Sequence, residues 1–257
     1  MNPPPSLTPI GFDQHTLFVG TTGAGKTTRM LIMLEDRLNR LKKVSPMVYK
    51  IVLIDTKPVS YGQDDAKGHF SFIPDSVIIR DWRQIDLSQI DERVVIYRPT
   101  EDLIEPIQFA AFFNQMGKYK LRVKGNLTAM PLLIIVDELI DVFSAERSRQ
   151  KYMHGFTKIM TQGRLAMQTI WNLTQYPVYL DSSIKRTSNV IFGFMLPDEK
   201  DRVVLAGLLG DRRVRQLPNS THGFWYQNQQ IPQTLIRPLY FDGISRNRGL
   251  KVVNGGR

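Results

Sequence analysis

Short runs of consecutive apolar residues recur along the chain, separated by stretches in which the apolar positions return every three or four residues. The first pattern predicts strands buried on both faces, and the second predicts helices packed on them. Strands are predicted at 16–19, 49–54, 77–80, 94–97, 132–136, 168–173 and 190–194. The clearest helix starts at Lys26, where Met30, Leu34, Leu38 and Leu41 form a stripe and Lys42-Lys43 place positive charge at the C-terminal end. Further helices are predicted at 103–116, 152–167 and 198–209, and a final hairpin at 223–236. Strands alternating with helices predict an α/β fold: a central, mostly parallel sheet flanked by helices, ending in a C-terminal β-hairpin.

The ends of the chain follow other rules. Residues 1–10 contain Pro3, Pro4, Pro5 and Pro9, which remove backbone donors and fix φ, so an extended arm is expected there. Residues 245–257 combine Arg246, Arg248, Lys251 and Arg257 with glycines and read as a basic tail. Between them, 11–244 is expected to form one domain, and no internal repeat interrupts it.

Composition narrows the setting. Among 257 residues, 34 Lys and Arg against 24 Asp and Glu give a formal charge of +10, which favours a polyanionic partner. With no cysteine, disulfides, thiol nucleophiles and Cys-based zinc sites are excluded. No apolar run approaches the roughly 18 residues of a membrane span, so the chain is expected not to cross a bilayer and to stay soluble inside the cell.

Two stretches carry the chemistry. Gly20-Thr21-Thr22-Gly23-Ala24-Gly25-Lys26-Thr27 has the spacing G-x-x-x-x-G-K-T between a strand and a helix, the phosphate-cradling P-loop. Glycines let successive N–H groups turn toward phosphate oxygens, and the helix adds its positive N-terminal end. Lys26 would reach the β- and γ-phosphates and Thr27 would hold Mg²⁺, with Thr28 next in the helix. The second stretch is the apolar strand 132–136 followed by Asp137-Glu138, a Walker B element. Asp137 would bind Mg²⁺ directly or through water, and Glu138 would orient and deprotonate an attacking water.

Other positions admit two readings each. Gln175, at the end of a strand beside the nucleotide, fits either a γ-phosphate sensor or an edge amide bonding a neighbouring loop. Lys118, Lys120, Arg122 and Lys124 alternate, which suits contact with nucleic-acid phosphates if the segment is extended, or a solvated charged hairpin. Phe224, Trp225 and Tyr226 suit base stacking or packing at the sheet edge.

Taken in order, GTTGAGKTT at 20–28, LIDTKP at 53–58, LLIIVDE at 132–138, GR at 163–164 and NLTQYP at 172–177 resemble the motif series of the FtsK/HerA superfamily. Within it, the compact size is most similar to the genome-packaging ATPases of tailless viruses with an internal membrane. The resemblance implies a P-loop NTPase of the ASCE, RecA-like kind that hydrolyses ATP with Mg²⁺ and translocates DNA. Lys26, Glu138, Gln175 and a trans-acting arginine would serve catalysis. Arg164 is the candidate for that arginine, with Arg147, Arg149 and Arg186 behind it. It also implies a homo-oligomeric ring, a hexamer or similar, working on double-stranded DNA with capsid-vertex or inner-membrane proteins, in host cytoplasm or at the packaging vertex. Two other readings stay open: a small-molecule P-loop kinase, against which Glu138 counts, and a phage assembly or export ATPase acting on a protein. A HerA-like DNA-processing role is a further variant.

Overall fold

The five apolar residues of β7, Leu132–Val136, are all fully buried, and the rest of the molecule is layered around strands of this kind. A computed structural model describes residues 14–56, 70, 73–100, 103, 105–123, 126–143, 154–163, 168–210 and 224–228. The predicted arm 1–10, the tail 245–257 and the positions Lys57, Pro58, Lys124, Arg147, Arg149 and Arg164 lie outside the described residues.

In chain order the strands are β1 (Thr16–Val19), β2 (Lys50–Ile54), β3 (Ser76–Ile79), β4 (Val94–Tyr97), β5 (Lys120–Val123), β6 (Asn126–Ala129), β7, β8 (Gln168–Thr174), β9 (Val190–Phe194) and β10 (Phe224–Asn228). Eight of them form one sheet in the order β10-β9-β1-β8-β7-β2-β4-β3. Seven strands are parallel, and β10 runs antiparallel on β9, pairing Phe224 with Phe194 and Asn228 with Val190. The second arm of the predicted terminal hairpin, 229–236, lies outside the described residues. β5 and β6 form a separate antiparallel ribbon.

Successive side chains on a strand point to opposite faces, and the sheet therefore feeds two cores. Phe18, Leu53, Ile96, Ile135, Trp171 and Phe192 pack on one face, under Met30, Met33, Leu34 and Leu41 of α1 (Lys26–Leu41). Leu17, Val52, Val95, Ile134, Ile170 and Ile191 face the other way. They meet α2 (Pro106–Met116), α3 (Leu139–Val142), α4 (His154–Gln162), α5 (Ser182–Thr187) and α6 (Glu199–Leu209). The stripe predicted on α1 is buried at Met30, Leu34 and Leu41 and half-buried at Leu38.

Several helix boundaries have a readable cause. The helix predicted from 103 starts instead at Pro106, because a residue before proline is driven from the helical region; Glu105 is extended, with φ −64° and ψ 144°. The helix predicted over 152–167 is observed as α4, with 164–167 outside the described residues. Asp198 caps α6 by accepting from the amides of Lys200 at 2.7 Å and Asp201 at 3.3 Å. Gly210 ends it in the left-handed region, φ 67°.

The edge where the parallel strands begin is closed by two buried cations. Lys50 donates to the carbonyls of Ile90 and Glu92, and Arg93 donates to those of Leu41, Val44 and Tyr49. Burial pushes both groups down from their ordinary pKa values. The opposite edge, where the strands end, is left for chemistry.

Candidate nucleotide-hydrolysis site

The P-loop leaves β1 and is tied at once to its two neighbouring strands. Gly20 donates its amide to the Thr174 carbonyl of β8 at 3.1 Å, and Thr21 donates to the Met195 carbonyl beyond β9 at 2.9 Å. That crossing is so close that a Cβ on Gly20 would lie 2.5 Å from the Cβ of Phe194. Gly23 and Gly25 take φ values of 75° and 100°, a region that side chains with a Cβ resist, and Gly25 opens α1. Gly25 thus sets the N-terminal, positive end of a helix of 16 residues at the loop, the arrangement that the anion-binding reading of the spacing asks for.

Lys26 stands in the first turn of α1. Its ammonium is buried and donates to the carbonyls of Gly20 at 2.5 Å and Thr21 at 3.0 Å, so it is held at the mouth of the loop it serves. Thr27 follows, half-buried, and donates its hydroxyl to Asp137 Oδ1 at 3.4 Å. Thr28 is exposed on the same turn, and Thr22 is exposed at the crest of the loop.

Asp137 and Glu138 leave the end of β7, both nearly buried. β7 does not touch β1: β8 lies between them, bonded to both, and this spacing lets the two motifs face one another across one strand end. Glu138 Oε1 accepts the amide of Gln175 at 3.3 Å. Burial pushes the Glu138 carboxyl above its ordinary value, and Asp141 adds to the rise. The Lys26 ammonium, the Gln175 amide and the Thr174 hydroxyl pull it back. A carboxylate with a raised pKa accepts a proton more readily than a solvated one.

Gln175 directly follows β8, and its Oε1 accepts the Thr22 hydroxyl at 2.7 Å. The amide of this strand end thus bonds a neighbouring loop, and that loop is the P-loop. Lys26, Thr27, Asp137, Glu138 and Gln175 therefore converge, although they come from three separate strand ends.

Other predicted positions sit apart from this cluster. Arg186 is exposed in the last turn of α5. Lys118, exposed, precedes the β5–β6 ribbon, on which Lys120 and Arg122 lie two positions apart in an extended strand. That ribbon leads into the start of β7, so it approaches the sheet from the edge opposite the P-loop. Asp55, the acidic residue of the D-x-K-P turn, is engaged by Arg98 at the end of β4 at 3.0 and 3.1 Å, with both side chains 2% exposed. Its neighbour Thr56 donates to Asp141 Oδ2 at 3.1 Å, joining β2 to α3. Sequence reasoning placed Thr56 and Thr174 in their motifs without a role and did not single out Asp141, because their partners lie on other strands and helices and leave no local pattern.

No protein-family profile and no curated protein matches the chain at the sequence level. Solved structures do match. The genome-packaging NTPase B204 of Sulfolobus turreted icosahedral virus 2, in complex with AMPPCP, superposes with a TM-score of 0.67 at 13% identity, covering 90% of this chain and 99% of that one. The DNA-packaging ATPase B204 of Sulfolobus turreted icosahedral virus gives 0.62 at 15% identity, over 89% and 98% of the two chains. The cytoplasmic domain of the type VII secretion ATPase EccC from Thermomonospora curvata gives 0.57 at 18% identity, over 95% of this chain and 28% of that one. The likeness is one of fold: an α/β sheet of the P-loop NTPase type with flanking helices.

Proposed function

We propose that the chain is an ATP-hydrolysing motor that drives double-stranded viral DNA into a preformed capsid. The observation that carries this reading is the convergence of Lys26 and Thr27, Asp137 and Glu138, and Gln175 on adjacent ends of a parallel sheet. The P-loop amides and Lys26 would hold the phosphates and spread their negative charge. Glu138, desolvated and held by the Gln175 amide, would take the proton of an attacking water, and Gln175 would read the γ-phosphate.

A magnesium ion fits the residues present. Thr27 and Asp137 offer a hydroxyl and a carboxylate within 3.4 Å of each other, the hard oxygen donors this ion prefers. Among the described residues no group of three or more His, Cys, Asp or Glu forms a cage. That suits an ion which takes one or two protein ligands and completes its shell with phosphates and water. Bound there, it would neutralise charge on the β- and γ-phosphates.

The charge of +10 favours a polyanion, and the ribbon carrying Lys120 and Arg122, with Lys118 before it and Lys124 beside them in sequence, is our candidate for contact with DNA phosphates. We further propose a ring of identical subunits in which an arginine, Arg164 first among the candidates, reaches the neighbour's nucleotide. Its place would be the host cytoplasm, docked at the packaging vertex of a capsid. Among the described residues no helix is long and apolar enough to cross a membrane.

The test is steady-state ATP hydrolysis with and without double-stranded DNA at low and moderate salt, beside Glu138→Gln. We expect DNA to stimulate turnover, salt to suppress the stimulation, and the variant to lose at least 100-fold in kcat, the scale of general-base catalysis at about 10²–10⁴. The likeness to EccC favours a second reading, an ATPase that acts on a protein partner. Turnover indifferent to DNA, with Glu138→Gln still inactive, would select it.

A further inference from the structure

The side chain at the second variable position of the P-loop does something the spacing G-x-x-x-x-G-K-T does not ask of it. The pattern uses backbone amides there, so residue 22 is open to many side chains. Here it is a threonine whose hydroxyl donates to Gln175 Oε1 at 2.7 Å, across 153 residues of chain. The bond is exposed, and an exposed neutral hydrogen bond adds little to stability, so its use lies elsewhere.

The chemistry of the amide says where. A primary amide has an accepting end and a donating end. An ionised phosphate accepts hydrogen bonds and offers no proton, so a glutamine that engages it must present its NH₂ and turn its carbonyl away. The carbonyl then needs a donor on the other side, and the Thr22 hydroxyl is in place to be that donor. At the same time the backbone amide of Gln175 donates to Glu138 Oε1 at 3.3 Å, so fixing this turn also fixes the carboxylate beside it.

We propose that Thr22 is a positioning residue that acts through Gln175, holding the carbonyl end of its amide so that the NH₂ end faces the phosphates. This rests on the ATPase reading of the site. The experiment is a double-mutant cycle on the full chain with ATP: wild type, Thr22→Val, Thr22→Ser, Gln175→Ala and the Thr22→Val/Gln175→Ala pair, with Glu138→Gln as the marker of hydrolysis at this site. Binding of a fluorescent ATP analogue and thermal melting show that each variant is folded and loaded.

Thr22→Val should lower kcat roughly three- to tenfold, the worth of one lost neutral hydrogen bond, with KM little changed because the loop amides remain. Thr22→Ser should recover most of that rate. The pair should be no slower than Gln175→Ala alone, because without the amide the hydroxyl has nothing to hold. Three results overturn the inference while leaving the ATPase reading intact: losses that multiply in the pair, a serine variant as slow as valine, or a valine variant as fast as wild type. If wild type does not hydrolyse ATP, or Glu138→Gln is as fast as wild type, the ATPase reading falls and the inference falls with it.

Discussion

Gly20 shows how little room the site leaves at single residues. Its added Cβ would stand 2.5 Å from a β-carbon of β9, so neither side can yield by rotating a side chain. Gly20→Ala should therefore destabilise the domain by about 1–3 kcal/mol, the usual cost of overpacking, and chemical denaturation would show it as a lower midpoint. Arg98 makes a parallel case in charge. It meets Asp55 in a pair whose side chains are both buried, and Arg98→Met would take the cation away from that buried carboxylate. The expected loss is about 3–5 kcal/mol, read by the same measurement. These two residues also mark what a sequence discloses. The P-loop was legible because phosphate binding demands glycines at fixed intervals, a local constraint. Asp55 was legible only as an acidic turn at a strand end; that it faces Arg98 depends on β2 and β4 being neighbours in the sheet, which no local pattern reveals.

Among the elements, α6 shows how a helix is docked onto the turn that follows β8. Asp201, in its first turn, accepts the Val178 amide at 3.1 Å. Burial pushes its carboxyl above the ordinary value of 3.8; the Val178 amide opposes the rise, and the Asp198 carboxylate adds to it. Because the folded-state pKa is raised, the stability this group contributes is present below the unfolded value and is lost as pH climbs through the folded one. Asp201→Asn keeps an oxygen for Val178 but does not titrate. Urea denaturation across the acid range should find wild type gaining on the variant as pH falls, and no such slope would refute the role. The seven parallel strands were legible nearly to the residue, since such strands are continuous apolar runs, whereas the β5–β6 ribbon was legible only as one of two readings of its alternating charges. The short helices α3 and α5 were not, because elements of 4 and 6 residues are too brief to show a period.

For the molecule as a whole, the strand order matters more than any one contact. β8 is paired in parallel to β1 on one side, from Trp171 to Thr174, and to β7 on the other, from Gln168 to Asn172, so that the two ladders together cover its length. Its seven residues are all buried. Amide hydrogen exchange should accordingly be slowest in β8, at the rate set by global unfolding, and faster in β3, whose four residues are half-buried at the margin of the sheet. In mechanical language, β8 works as the web of a girder whose flanges are β1, which leads into the glycine-rich loop, and β7, which leads into Asp137 and Glu138. Sliding one flange past the other would shear two ladders of hydrogen bonds together, so the gap between Lys26 and Glu138 is stiff. In the motor we propose, the stroke would not come from the site stretching. It would be delivered by the domain swinging as a block, with its hinge outside the sheet.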